Sequence, residues 1–78
     1  MGAVHTEPGF TFRIWPNDHL PAHVHAWKGG AVAVIELGSL AVRDVNGQMK
    51  PADVIRAVRV VEANRSKLRK AWRKIHGN

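Results

Sequence analysis

The sequence contains no cysteine. Disulfides, thiolate nucleophiles and cysteine-ligated zinc clusters are therefore excluded. Any staple must come from a histidine or carboxylate metal site, a partner or self-association. Long apolar runs are missing too: the longest, AVAVI at 31–35, falls far short of the roughly 20 residues that cross a bilayer. No membrane partner is expected. The first ten residues have neither the basic start nor the apolar stretch of a secretory signal, so the expected compartment is the cytoplasm. Also absent are a Walker loop, an HExxH pair, a Ser-His-Asp set and a zinc-deaminase signature.

Acidic residues are scarce in one part of the chain only. Residues 50–78 hold nine basic and two acidic side chains, a net charge of +7, whereas residues 1–49 hold three and four, a net charge of −1. Such asymmetry suits a phosphate backbone or an acidic protein partner without choosing between them. At 78 residues with 45% hydrophobic content, the expectation is a single folded domain spanning 1–78.

Residues 1–9 read as a flexible leader, closed by the turn pair Pro8-Gly9. Residues 10–47 read as sheet. In FTFRIW, Phe10, Phe12 and Ile14 alternate with Thr11, Arg13 and Trp15, and Pro16 ends the strand. AHVHAW at 22–27 alternates again, with Val24 and Ala26 on one face and His23, His25 and Trp27 on the other. Gly29-Gly30 suits a hairpin turn, AVAVIEL at 31–37 reads as a central strand, and LAVRDV at 40–45 as a further one before the turn signal Asn46-Gly47.

From Pro51, which suits a first helical position, the period changes. Val54, Val61, Leu68 and Ile75 repeat every seven residues, with Val58 and Trp72 beside them. This predicts a helix over 51–76, continuous or bent near Asn64, lying on the sheet. Unbroken, it would run roughly 39 Å at 1.5 Å per residue, leaving Trp72 in need of a cover that a second copy of the chain could supply. The expected fold is α+β: a small antiparallel sheet of three to four strands followed by a long C-terminal helix. The expected core is Phe10, Phe12, Ile14, Val24, Val32, Val34, Leu37, Val54, Val58, Val61 and Leu68.

The chemistry concentrates in NDHLPAHVHAW, residues 17–27. His23 and His25 leave one face of a strand about 6.5–7 Å apart. His19, from a proline-bounded loop, offers a third imidazole and Asp18 a carboxylate. Such a set suits zinc and also nickel, iron or copper. Two other readings stand beside it. The histidines pack or bond on a polar strand face; or His23 and His25 act as acid and base with Arg13 on a phosphate, as in a metal-free RNase. Along the helix, Arg56, Arg59, Lys67, Lys70 and Lys74 spread over the face away from the apolar stripe. They form either a solvated basic face or a contact for nucleic acid or an acidic partner.

The run from Phe12 to Ala26 resembles the opening of the bacterial domain family of unknown function numbered 4160. Its members run aromatic-x-Asn-Asp-His-x-Pro-Pro-His-Phe-His-Ala after a strand. Asn17, Asp18, His19, Pro21, His23, His25 and Ala26 match, while Ala22 replaces the second proline and Val24 the phenylalanine. Ala31–Ile35, Leu68 and Trp72 extend the resemblance over residues 10–75. It implies a toxin–antitoxin-like gene pair, hence a small cognate protein partner and contact of either half with nucleic acid. It carries over His19, His23 and His25 as site candidates, with Asp18 orienting them. The expected function is an accessory, partner-binding module; the alternatives are a small histidine- or metal-dependent hydrolase or RNase, and a structural homodimer.

Overall fold

In a computed structural model, residues 3–77 describe a five-stranded sheet covered on one face by two helices. The strands are β1 (His5–Glu7), β2 (Phe10–Arg13), β3 (His23–Lys28), β4 (Ala31–Glu36) and β5 (Val42–Asn46); the helices are α1 (Pro51–Ala63) and α2 (Arg65–His76). Every strand pairs antiparallel with its sequence neighbour, in the order β1-β2-β3-β4-β5. Among the described residues, no helix is long and apolar enough to cross a membrane.

The α+β expectation holds, with two corrections of detail. The sheet has five strands rather than three to four, because part of the segment read as a leader is a strand; Met1 and Gly2 lie outside the described residues. His5 pairs with Phe12 and Glu7 with Phe10. His5 also packs its ring 5.7 Å from that of Phe12 and accepts a 2.8 Å bond from Lys67 Nζ. These ties are made across the fold, so HTE shows no apolar alternation to read.

The second correction concerns the helix. Asn64 divides it, with φ −117° and ψ 21°, outside helical values. Its side-chain amide donates to the Val60 carbonyl at 2.8 Å, competing locally for an acceptor the backbone would use. Asn64 sits at the N-cap position of α2 but makes no side-chain capping bond. An unbroken helix of roughly 39 Å would exceed the molecule's longest dimension, 34 Å. With the break, Ala57, Val61, Leu68 and Trp72 all face one core, and Trp72 is 4% exposed. The fold itself supplies its cover, and a second copy is not needed for that.

Phe10, Phe12, Ile14, Val24, Ala26, Ala33, Ile35 and Leu37 form the sheet side of this core. Val34, expected inside, is only half-buried, and so are Val54 and Val58. On β4 the core positions are Ala33 and Ile35, so Val34 must point to the opposite face. Between β4 and β5 the register shifts: Val34 pairs with Asp44 and Ile35 with Val42, leaving Arg43 between the pairs. Gly47 closes the far end of β5. Its φ is +83°, and a Cβ there would meet Ala31 Cα at 3.0 Å, so only glycine fits without displacement.

Candidate metal centre

On the face opposite Val24 and Ala26, β3 presents its histidines to a loop, and the Trp72 ring of α2 lies 5.4 Å from that of His23. Trp15-Pro16-Asn17-Asp18 is a tight turn with proline at its second position, as turn sterics prefer. Asp18 closes it twice: its backbone N–H donates to the Trp15 carbonyl at 3.0 Å, and its Oδ2 accepts from the Trp15 N–H at 2.8 Å. The side chain is thereby held towards the sheet, where Oδ1 meets His25 Nε2 at 3.2 Å and His23 Nε2 at 3.5 Å. All three side chains are well covered, with 12%, 8% and 19% exposure for Asp18, His23 and His25.

Burial opposes ionisation of the Asp18 carboxyl. The Trp15 amide, the bond from His25 and the charge of both imidazoles outweigh it, so the group titrates below its ordinary 3.8. His23 Nδ1 lies 2.9 Å from the Pro21 carbonyl, which can only accept, so Nδ1 carries the hydrogen. Arg43 Nη1 also approaches Nδ1, at 3.4 Å. A guanidinium can only donate, so the two contacts cannot both be hydrogen bonds, and the shorter one decides. In the neutral ring the lone pair is then on Nε2, facing Asp18 and His25. A backbone carbonyl fixing the distal nitrogen of an imidazole is the usual support of a ligating histidine.

The nitrogen and oxygen atoms of Asp18, His23 and His25 lie within 4.8 Å of one another. Ligands 2.0–2.1 Å from a tetrahedral ion stand about 3.3–3.4 Å apart. The two Asp18–histidine separations, 3.2 and 3.5 Å, bracket that value. Two imidazoles and one carboxylate form a donor set common to zinc and non-haem iron sites. Beside the cluster opens a pocket of about 340 Å³, lined by Asn17, Asp18, His19, His23, Val34, Arg43 and Asp44.

His19, expected among the ligands, is not in the cluster; it is exposed and lines the pocket. The turn that aims Asp18 inwards leaves the next side chain outside. Arg13 stands opposite His25 across β2 and β3, with its guanidinium 5.9 Å from the Trp15 ring centre. The helical cations divide. Arg56 pairs with Asp53 and lies over Phe10, and Lys67 bonds to His5; Arg59, Lys70 and Lys74 are exposed. Sequence reasoning missed Arg43. The register shift puts it and Asp44 on the same pocket, and the signal was there: Val42 and Val45, three apart, break the period of two.

The family model "Domain of unknown function (DUF4160)" matches residues 9–73, most of the chain. The chain belongs to the DUF4160 family. No curated protein and no solved structure matches it. The match to DUF4160 spans the whole Asp18–His23–His25 cluster and both helices through Trp72, so cluster and cover belong to the matched DUF4160 region.

Proposed function

We propose that this domain binds a divalent transition ion, zinc on its donor chemistry, through Asp18, His23 and His25, in a site of the metal-dependent hydrolase type. The carrying observation is that three covered ligand atoms converge within 4.8 Å, both Asp18–histidine separations lie near the tetrahedral value, and the Pro21 carbonyl supports the His23 ring from behind. Three protein ligands, with room beside them, favour a catalytic over a closed structural site. An ion held so lowers the pKa of a bound water and polarises a substrate oxygen.

The test is elemental analysis of protein purified without an affinity tag, then zinc titration of wild type and the His23→Ala/His25→Ala double variant. About one equivalent, lost in the variant, supports the reading. No binding at micromolar zinc overturns it and returns the cluster to a packing role.

A second reading keeps the domain as a partner-binding module of a toxin–antitoxin-like pair. Its support is the exposed basic surface of α1 and α2, carrying Arg59, Lys70 and Lys74. Binding of nucleic acid that weakens steeply with salt, or a co-purifying small acidic protein, distinguishes it from the first.

A further inference from the structure

We infer that the open side of the centre receives a phosphate group, held between the bound ion and Arg43; the inference rests on the metal reading above. Donors and acceptors around the pocket are unequally engaged. Its carboxylates are engaged on at least one oxygen each. Asp18 Oδ2 takes the Trp15 N–H and Oδ1 faces the two imidazoles. Asp44 Oδ2 accepts from the Asn46 amide at 2.8 Å. Glu36, behind Arg43, accepts from the Ser39 hydroxyl at 2.9 Å and faces Arg43 Nε at 3.7 Å.

The donors have capacity left. A guanidinium carries five N–H groups; Arg43 Nε faces Glu36 at 3.7 Å, and the 3.4 Å approach of Nη1 to His23 is not a hydrogen bond. The Asn17 amide and the His19 imidazole line the same pocket. With a divalent ion on the cluster, this side combines a metal, a fork of guanidinium donors and two further donors. That suits a tetrahedral oxyanion: one oxygen on the ion and others on the fork. The volume of about 340 Å³ is at the lower end of the range for small-molecule sites, matching a small phosphate or the esterified phosphate of a larger chain lying across an open rim.

The bulge makes this arrangement. With regular pairing, Arg43 and Asp44 would point to opposite faces of β5. The extra residue lets both reach the pocket while Val42 and Val45 pair with the core positions Ile35 and Ala33. Bulges re-aim side chains in this way next to functional sites.

The experiment loads the protein with cobalt(II), whose visible spectrum reports the ligands around it, and titrates inorganic phosphate. Arg43→Gln is run in parallel, with circular dichroism to check its fold. In wild type, phosphate moves the cobalt bands saturably. In Arg43→Gln, cobalt binds as in wild type and phosphate binds about tenfold or more weakly, the loss expected for a charge-assisted bond. Arg43→Lys, which keeps the charge but loses the fork, falls between them. Equal phosphate affinity in wild type and Arg43→Gln, or bands unmoved by phosphate, overturns the inference while the metal reading stands. Acetate moving the bands as strongly at equal concentration overturns the assignment to phosphate. Failure to take up cobalt overturns the metal reading and this inference together. Dimethyl phosphate distinguishes the two sources of the group: binding like that of inorganic phosphate supports an esterified ligand, and its failure beside bound phosphate supports the free ion.

Discussion

Asp18 has two duties, and two substitutions separate them. Through Oδ2 it closes the turn at Trp15; through Oδ1 it faces His23 and His25. Asp18→Ala removes both and leaves the Trp15 N–H without its acceptor. A bond to a charged group contributes about 1.5–3 kcal/mol, so a loss of about 2 kcal/mol is expected in metal-free protein. For a domain of this size that lowers Tm by roughly 8–16 °C. Asp18→Asn keeps an oxygen for the Trp15 N–H but brings no charge to the imidazoles, and its expected cost is about 1 kcal/mol. With zinc present the order is set by ligation. At a hundred times its Kd, zinc stabilises wild type by about 2.7 kcal/mol. Losing an outer-shell partner alone weakens metal binding about 10–100-fold, so losing a direct ligand should weaken it by about 100-fold or more. At the same zinc concentration Asp18→Asn then gains no more than about 0.4 kcal/mol. The assay is thermal unfolding by circular dichroism, with chelator and with zinc, for all three proteins. An equal zinc-induced rise in wild type and Asp18→Asn refutes the ligand assignment. An Asp18→Ala protein as stable as wild type in chelator refutes the turn-closing role.

Three further outcomes follow from single contacts. The Asp18 carboxyl is lowered on folding, so the stability it contributes to metal-free protein is fully present above about pH 3.8 and is lost as pH falls through the folded value; urea unfolding at pH 6 and pH 3 should show a smaller acid loss in Asp18→Asn than in wild type, and a larger one refutes the sign. Gly47→Ala forces a positive φ on alanine and drives its Cβ to 3.0 Å from Ala31 Cα, costing about 1–3 kcal/mol; an unchanged urea midpoint refutes this. The Trp72 ring lies 5.4 Å from that of His23, so cobalt on the cluster should quench Trp72 emission, and Trp72→Phe should remove that quenchable part. Equal quenching in both proteins would place the ion elsewhere.

The parts of the fold legible in the sequence were those whose burial is periodic along the chain. Phe10, Phe12 and Ile14 alternate because one sheet face is covered, and Pro51 opens a helix because its missing N–H costs nothing there. The illegible parts depend on partners far along the chain. β1 is short and polar, and its place comes from pairing with β2 and from Lys67 reaching His5. The division at Asn64 costs α1 and α2 their continuity, and what offsets it is the burial of Trp72, which periodicity alone could not weigh. Val34 read as core because both faces of a central strand are often covered; Val32, expected inside, is buried. Here only one face carries helices, and the other holds the cluster and its pocket.

The candidate centre illustrates how a turn alters chemistry that spacing suggests. H-x-H on a strand puts two imidazoles on one face by period alone, and His23 and His25 are there. The third member is decided by a loop, whose turn geometry aims Asp18 at the imidazoles and leaves His19 on the pocket rim. Asp18 has an Oδ2 that can accept the Trp15 N–H and so lock its own direction; His19, one residue on, has no such bond to the turn and remains exposed. Counting histidines therefore overstates the nitrogen in the site. The cluster has two nitrogens and an anionic oxygen, a set found in zinc and non-haem iron sites. The same carboxylate takes one positive charge from the ion, and Arg43 puts one back at the pocket wall. The electrophilic character of the open side therefore depends on Arg43, the extra residue of β5 at the register shift opposite Val34 and Ile35.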